Sequence, residues 1–194
     1  IGLATSVFGK ATALITSFDA QPGDLLIAAV DHRGSYRNFD NFCAALDAPP
    51  DRLRRDLELL PALAEDALTR AGKDISQGGI VGTALMLAEC SGVGIEIALS
   101  ALIPPQGTAA ERWLRSFPSF GFLLAVAPGD AARVSAAFAA RDIPCGPVGR
   151  VTTGSALRLT SGETQALFTV RSLRDPNLIR MFEDAQLKRI ALRY

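Results

Sequence analysis

The sequence predicts an α+β fold, with helices packed on a mostly antiparallel mixed sheet. The 194 residues are 48% hydrophobic and 21% charged, which is typical of a globular chain with a sizeable buried core. Helix-type and strand-type patterns follow one another irregularly, without the strict strand–helix alternation of a parallel sheet. Strands are predicted at residues 156–160 and 164–170. Ser161-Gly162 lies between them, which predicts an antiparallel hairpin.

The first third of the chain is predicted to consist of short strands and turns. Residue 1 already lies inside a strand-like pattern, so we expect the chain to be a fragment or a trimmed product. A short continuous apolar run is typical of a buried strand, and a polar stretch after it is typical of a loop. The predicted elements are strands at 3–8 and 12–18, a turn at 21–24, a buried strand at 25–30, a polar loop at 31–38 and a short helix at 39–46.

Two helices are predicted in the middle of the chain. Asp51 can cap the first, which follows the break at Pro49-Pro50, is kinked or restarted by Pro61 and ends at Gly72. The second covers residues 78–91 and stops at Gly92. The alternating residues 93–99 then predict a half-buried strand.

The remaining elements follow from caps and apolar runs. Thr108 and Glu111 fit a capping box for a helix that reaches Arg115, and Asp130 can cap another helix. Asp175-Pro176 is typical of a helix start, and this last helix is expected to run to about residue 192. The other predicted strands are residues 121–127, 148–153 and the hairpin at 156–170.

Charge and hydropathy exclude several classes of partner. The 20 Lys and Arg residues balance the 20 Asp and Glu residues, so no overall field attracts nucleic acid or an anionic membrane. Aromatic residues make up only 7% of the chain, which disfavours base stacking. Charged residues and glycines interrupt the most apolar run, residues 78–99, so it indicates a buried helix and strand and not a membrane span. We therefore expect neither nucleic acid nor membrane as a partner.

The cysteines indicate a reducing compartment. Cys43, Cys90 and Cys145 are odd in number and widely spaced, which argues against a disulfide framework and against a zinc site. Each is expected to pack as a small apolar residue. The segment that follows Ile1 has no signal-peptide pattern. These observations predict a cytoplasmic protein, and we assign no metal ligand in this chain.

The stretch that carries the most information is Lys73-Asp74-Ile75-Ser76-Gln77-Gly78-Gly79-Ile80. Its Gly-Gly pair opens directly into an apolar helix, so backbone N–H groups, Ser76 and Gln77 are placed at a helix N-terminus, where phosphates bind well. Gly78 and Gly79 would allow a ligand to approach the backbone closely, and Asp74 could hold the loop or accept a proton. The alternative is an ordinary helix start in which Asp74 or Ser76 is only the cap.

The polar loop at residues 31–38 is the second candidate site. It contains His32, the only histidine of the chain, immediately after a predicted buried strand. Arg33 and Arg37 could clamp an anion, with Tyr36 as a further ligand contact, and His32 could act as an acid, a base or a hydrogen-bond donor. The alternative is a solvated linker that carries a surface histidine.

Several motifs together resemble a known family. Pro22-Gly23-Asp24, Asp74-Ile75-Ser76-Gln77-Gly78-Gly79, Ser91-Gly92-Val93-Gly94 and residues 143–151 occur in the order found in the AIR synthase-related (PurM-like) superfamily. The resemblance is to its C-terminal domain, preceded by the last strands of its N-terminal domain. The chain departs from the pattern at Lys73, where several members carry histidine, and at Ile80, where leucine is usual.

The resemblance implies a function and a domain organisation. Residues 1–30 would be remnant strands of an N-terminal ATP-binding domain, residues 31–170 the C-terminal domain, and residues 171–194 a C-terminal helix. The function implied is an ATP-dependent enzyme that acts on a small metabolite, expected to be phosphorylated, with His32 and Asp74 as candidate catalytic residues. ATP and Mg²⁺ would be held mostly outside this chain, which would be inactive alone.

The resemblance also implies self-association, and it leaves one alternative function open. Members of the superfamily dimerise largely through strands of the N-terminal domain, so residues 3–18 predict a homodimer. The alternative function is a non-catalytic module derived from the same fold, for ligand binding or assembly. It is suggested by the missing metal-binding half.

Overall fold

The computed structural model describes residues 4–6 and 8–169 of the chain. Its helices are α1 Pro50–Leu57, α2 Leu59–Glu65, α3 Gly79–Ser91, α4 Ala110–Arg115 and α5 Ala131–Ala139, with a 3-10 turn at Leu99–Ala101. Its strands are β1 Leu25–Val30, β2 Ser35–Tyr36, β3 Asn41–Cys43, β4 Ala71–Asp74, β5 Gly94–Ala98, β6 Phe117–Pro118, β7 Gly121–Val126, β8 Cys145–Thr152, β9 Ala156–Ser161 and β10 Thr164–Thr169.

Two sheets organise the fold. The larger has seven strands in the order β10-β9-β5-β8-β1-β7-β4, and its neighbours are antiparallel except for the parallel pair β5–β9. The smaller has the order β2-β3-β6, with β3 and β6 parallel. The predicted α+β class with a mostly antiparallel mixed sheet is confirmed.

Helices bury both faces of the large sheet, which the interior strand β1 shows most clearly. Leu26 and Val30 belong to the core that includes α3 and α4, whereas Ile27 and Ala29 belong to the core that includes α2 and α5. Because successive side chains of a strand point to opposite faces, a strand covered on both sides has a continuous run of apolar residues in its sequence. This explains why the sequence predicts β1 correctly.

The pairing of β1 tests the predicted domain boundary after residue 30. The strand lies between β7 and β8 and pairs with both along almost its whole length, with Leu25 opposite Val126 and Arg150. Its assignment to the remnant of a separate N-terminal domain does not agree with this position in the sheet. For the residues before β1 the assignment stays a prediction.

Three predicted elements in the first third of the chain are wrong. The segment 12–18 forms no strand beyond one isolated bridge between Thr16 and Ala71, and the described part of 3–8 is not a strand. Phe8 is 98% exposed, so its apolar side chain has no sheet face to cover. The helix predicted at 39–46 is strand β3, because buried Phe42 pairs with β2 on one side and β6 on the other.

The helix around Pro61 is shorter than predicted. It ends at Glu65, because Ala67 takes a φ of 54° and the N–H of Leu68 turns back to the carbonyl of Leu63. Gly72 therefore does not end a helix but lies inside β4. A Cβ there would come within 2.6 Å of the Leu124 side chain, so the glycine is needed for close packing.

The helix α3, its stop at Gly92 and the following strand β5 agree with prediction, as does the β9–β10 hairpin. The predicted caps Asp51, Thr108 and Asp130 form no side-chain cap hydrogen bond. The helix predicted from Asp175 lies outside the described residues. Within the described residues, no helix has the length and apolar character needed to cross a membrane.

Candidate functional site

A pocket of about 410 Å³ lies on the face of the large sheet that α3 and α4 cover, and we call it the His32 pocket. Ile80, the second residue of α3, lines it, so the pocket adjoins the helix turn that the Gly-Gly loop opens. The structure therefore brings the two predicted candidate segments towards one cavity. The lining residues are Ala28, Val30, His32, Ile80, Ala101, Leu102, Ile103, Trp113, Pro144, Cys145, Gly146, Pro147 and Val148.

His32 is half-buried at the wall of this pocket. Its ring meets Trp113 edge-on, with centroids 5.4 Å apart and an interplanar angle of 89°. Burial lowers the pKa of His32 below its ordinary value of 6.5, while the negative charge of Asp31 works in the opposite direction. The imidazole is therefore neutral at pH 7, with one nitrogen able to donate a hydrogen bond and the other able to accept one.

A buried ion-pair network fixes the backbone on which His32 stands. Asp31 is only 2% exposed, and it accepts hydrogen bonds from Arg33 through the backbone N–H at 2.9 Å, Nε at 2.8 Å and Nη2 at 3.1 Å. The same Nη2 donates to buried Asp56 on α1 at 2.8 Å, and Arg52 lies 3.5 Å from Asp31. The hydrogen bond to Asp31 raises the pKa of Arg33, so the guanidinium stays charged.

The other cation and the tyrosine of the 31–38 loop also have partners in the folded chain. Arg37 forms an exposed ion pair with Asp47. The Tyr36 hydroxyl shares a hydrogen bond of 2.7 Å with buried Ser116, and the guanidinium carbon of Arg112 lies 3.5 Å from the centre of the Tyr36 ring. None of Arg33, Tyr36 and Arg37 lines the His32 pocket. The geometry therefore gives these three residues structural contacts and does not favour their predicted role as ligand clamps.

The Gly-Gly loop forms a tight turn before α3. Gly78 is the residue before the helix, and no side chain caps the helix, so neither Asp74 nor Ser76 has the capping role. The N–H of Ser76 donates to Thr83 Oγ1 at 3.2 Å, and the N–H of Gly79 donates to the carbonyl of Ser76 at 2.8 Å. These two donors are therefore used inside the turn. The exposed Gln77 and the half-buried Gly78 are the parts of the turn that face outward.

Gly79 is required by the packing of α3 against α4. Its φ is 63°, and a Cβ at this position would lie 2.2 Å from the carbonyl oxygen of Leu114. This packing is reason enough for a glycine here, and the predicted approach of a ligand to its backbone stays a prediction. The missing side chain makes room for the backbone of α4, the helix that carries Trp113.

Asp74 lies at the end of β4, away from the His32 pocket. Its carboxylate pairs with Lys73 Nζ at 3.2 Å, and both residues line a separate groove of about 570 Å³ beside the N-terminal segment. Among residues 4–6 and 8–169, none lines both this groove and the His32 pocket. The two predicted catalytic residues, His32 and Asp74, therefore face different cavities.

Sequence reasoning missed two features. No local sequence motif marks Trp113 as a site residue. Its role depends on a contact with His32, which lies far away in the sequence. Cys43 was expected to pack only as an apolar residue, but it borders a cavity of about 270 Å³ between Arg33 and Arg52. Burial alone raises the pKa of its thiol, but hydrogen bonds and a positive charge outweigh burial and lower the pKa overall; these come from Leu46, Ala45, Ser119 and Arg37.

The fold and the pocket define a class: an α+β domain whose helices cover both faces of a mostly antiparallel sheet and leave a cavity beside a helix N-terminus. Residues 39–162 match the family described as AIR synthase related protein, C-terminal domain. The chain belongs to this family, as the resemblance of its motifs predicts.

The relatives place this domain in larger proteins. The uncharacterized protein sll0787 of Synechocystis is 43% identical over 168 residues, which cover 86% of this chain and 52% of the relative. T. maritima PurL complexed with ATP has a TM-score of 0.65 at 15% identity, over 81% of this chain and 27% of PurL. E. coli HypE, a hydrogenase maturation protein, has a TM-score of 0.60 at 21% identity, over 85% of this chain and 55% of HypE. The chain thus spans about half the length of its cyanobacterial relative, and the two structures support the fold alone.

The contact between the single histidine and the single tryptophan makes the protonation of His32 directly measurable. Imidazolium quenches indole fluorescence, so we expect the emission of Trp113 to fall with a midpoint below pH 6.5. Because the pKa of His32 is lowered on folding, this residue stabilises the protein above pH 6.5 and loses that contribution as the pH falls. The variant His32→Gln should show no such transition, and a midpoint at or above 6.5 would contradict the assigned environment.

Gly79 and Gly92 form a matched pair for testing the packing of the Gly-Gly loop. Both have positive φ, 63° and 66°, but a Cβ at Gly92 meets nothing within 4 Å. Gly92→Ala should lower the free energy of unfolding by about 1 kcal/mol, which is the backbone cost alone. Gly79→Ala should cost about 2 kcal/mol more, because α4 has to move. Urea unfolding measures both values, and equal costs would show that the Leu114 contact is unimportant.

Proposed function

We propose that this chain is the ligand-binding C-terminal part of an ATP-dependent enzyme that acts on a small phosphorylated metabolite. The observation that carries the proposal is the His32 pocket, which places the single histidine beside the first turn of α3. A cavity of about 410 Å³ falls in the range of small-molecule sites. Membership of the AIR synthase-related family supports an activity of this type.

Each part of the site has a proposed role. The turn before α3 provides the positive end of a helix dipole and the outward-facing Gln77 and Gly78, which suit a phosphate. His32 is a neutral imidazole at the pocket wall, so it can donate a hydrogen bond to a substrate or take up a proton from it. Asp74 stays outside this assignment, because it faces another cavity.

ATP and Mg²⁺ require groups beyond this domain. ATP is found with PurL of T. maritima, which shares this fold. In the described part of the chain, 4–6 and 8–169, no group of three or more His, Cys, Asp or Glu side chains could hold a metal ion. These residues therefore do not fit a Mg²⁺ site. We propose that the nucleotide and metal bind to another part of the full-length protein, a cytoplasmic homodimer in which this chain alone is inactive.

A non-catalytic ligand-binding module is the second candidate. It is favoured by the separation of His32 and Asp74 and by the ion pairs that occupy Arg33 and Arg37. Such a domain would retain the pocket without assembling a complete catalytic site. ATP turnover by the full-length protein supports the enzyme. Binding of a phosphorylated ligand without turnover supports the module.

The phosphate role of the Gly-Gly turn predicts the effect of one added charge. Ribose 5-phosphate should bind the chain measurably in calorimetry, and Gln77→Glu should weaken it at least about five-fold, because a carboxylate then faces the anion. Gln165→Glu is the matched control, since it adds the same charge on the distant edge strand β10. If Gln77→Glu binds as tightly as the control, or the unchanged chain does not bind, the turn is only structural.

A further inference from the structure

We propose that the His32 pocket receives an uncharged, mainly apolar group of the ligand, such as a small ring with one hydrogen-bonding substituent, and excludes anionic groups. This inference rests on the proposed function, because it concerns the same site. It divides the ligand in two: the phosphate lies at the turn before α3, and the remainder enters the pocket.

The walls of the pocket are the first argument. Most of the lining side chains are aliphatic or aromatic, including Val30, Ile80 and Trp113. The ionisable members of the lining are His32 and Cys145. Burial lowers the pKa of His32 and raises the pKa of Cys145 to about 12, so both side chains are neutral at pH 7. The lining residues in the described part of the chain therefore provide no formal charge.

The scarcity of backbone donors in one wall is the second argument. Residues 144–148 form one side of the pocket, and Pro144 and Pro147 have no N–H group to offer an anion. Gly146 leaves this wall open, because a Cβ there would meet nothing within 4 Å. This wall therefore offers an apolar surface with few hydrogen-bond donors.

Two arginines on elements beside the pocket are the third argument, because both are already paired. Arg33 is held between Asp31 and Asp56, while Arg112, which neighbours Trp113 in α4, pairs with Asp40. An anion that enters the pocket would lose part of its hydration without gaining a counter-charge from either arginine, which is unfavourable. A neutral apolar group gains from leaving water in the same place.

Trp113 allows a direct test, because it is the only tryptophan of the chain and lines the pocket. The probes are cyclohexanecarboxamide and cyclohexanecarboxylate, which have the same ring and differ in charge. At pH 8 the carboxamide should change the emission of Trp113 in a saturable way. The carboxylate should require at least about ten times the concentration, since this ratio corresponds to only 1.4 kcal/mol.

Variants at the rim show whether the signal arises in the pocket. Ile103 lines the pocket and is 74% exposed, so Ile103→Asp should leave the fold intact and weaken carboxamide binding at least five-fold. Leu46→Asp is the matched control, because Leu46 is 78% exposed and lies outside the lining. Ile103→Arg should reverse the preference by supplying a charge for the carboxylate.

Each outcome decides the inference. Preference for the carboxamide, lost in Ile103→Asp and kept in Leu46→Asp, supports it. No response to the carboxamide, equal affinity for the carboxylate, or equal effects of the two Asp variants overturns it. Calorimetry measures the binding of ribose 5-phosphate, and its loss in Gln77→Glu, independently of the Trp113 emission. A phosphate-binding chain with no carboxamide preference would therefore reject this inference alone, whereas loss of phosphate binding would reject the proposed function.

Discussion

The buried carboxylate of Asp31 is the constraint on which the rest of the site depends. It follows the interior strand β1, and a charge so deeply buried has to be paired. Arg33 pairs with it and with Asp56, so the end of β1 is tied to helix α1. His32 is the next residue after Asp31, and its ring contacts Trp113.

A second constraint places the opposite wall of the pocket. Gly79 lets α3 approach the backbone of α4 at Leu114, and α4 carries Trp113. The pocket lies where these two constraints meet, with His32 on one side and the first turn of α3 on the other. Groups that serve folding, such as the Asp31 network and Gly79, thus determine a cavity whose lining is almost entirely neutral. This division of roles supports a site for a ligand with one apolar and one anionic part.

Local signals in the sequence predict some elements correctly, because their causes are local. The strand β1 is a continuous apolar run, and α3 ends at Gly92, which takes the left-handed conformation that glycine favours. The roles of Arg33 and Tyr36 could not be predicted, because their partners Asp56 and Ser116 are 23 and 80 residues away. The helix predicted at 39–46 failed for the same reason, since pairing with β6 decides the structure of β3.

The most direct test of this account is a double-mutant cycle across the buried pair Arg33 and Asp56, measured as free energies of unfolding in urea. The substitutions are Arg33→Met and Asp56→Asn, and the same changes at the exposed pair Arg54 and Asp51 serve as the control. The account predicts a coupling energy of about 2 kcal/mol for the buried pair and about 0.5 kcal/mol or less for the exposed pair. A buried pair that couples no more strongly than the exposed pair would contradict the claim that this network builds the site.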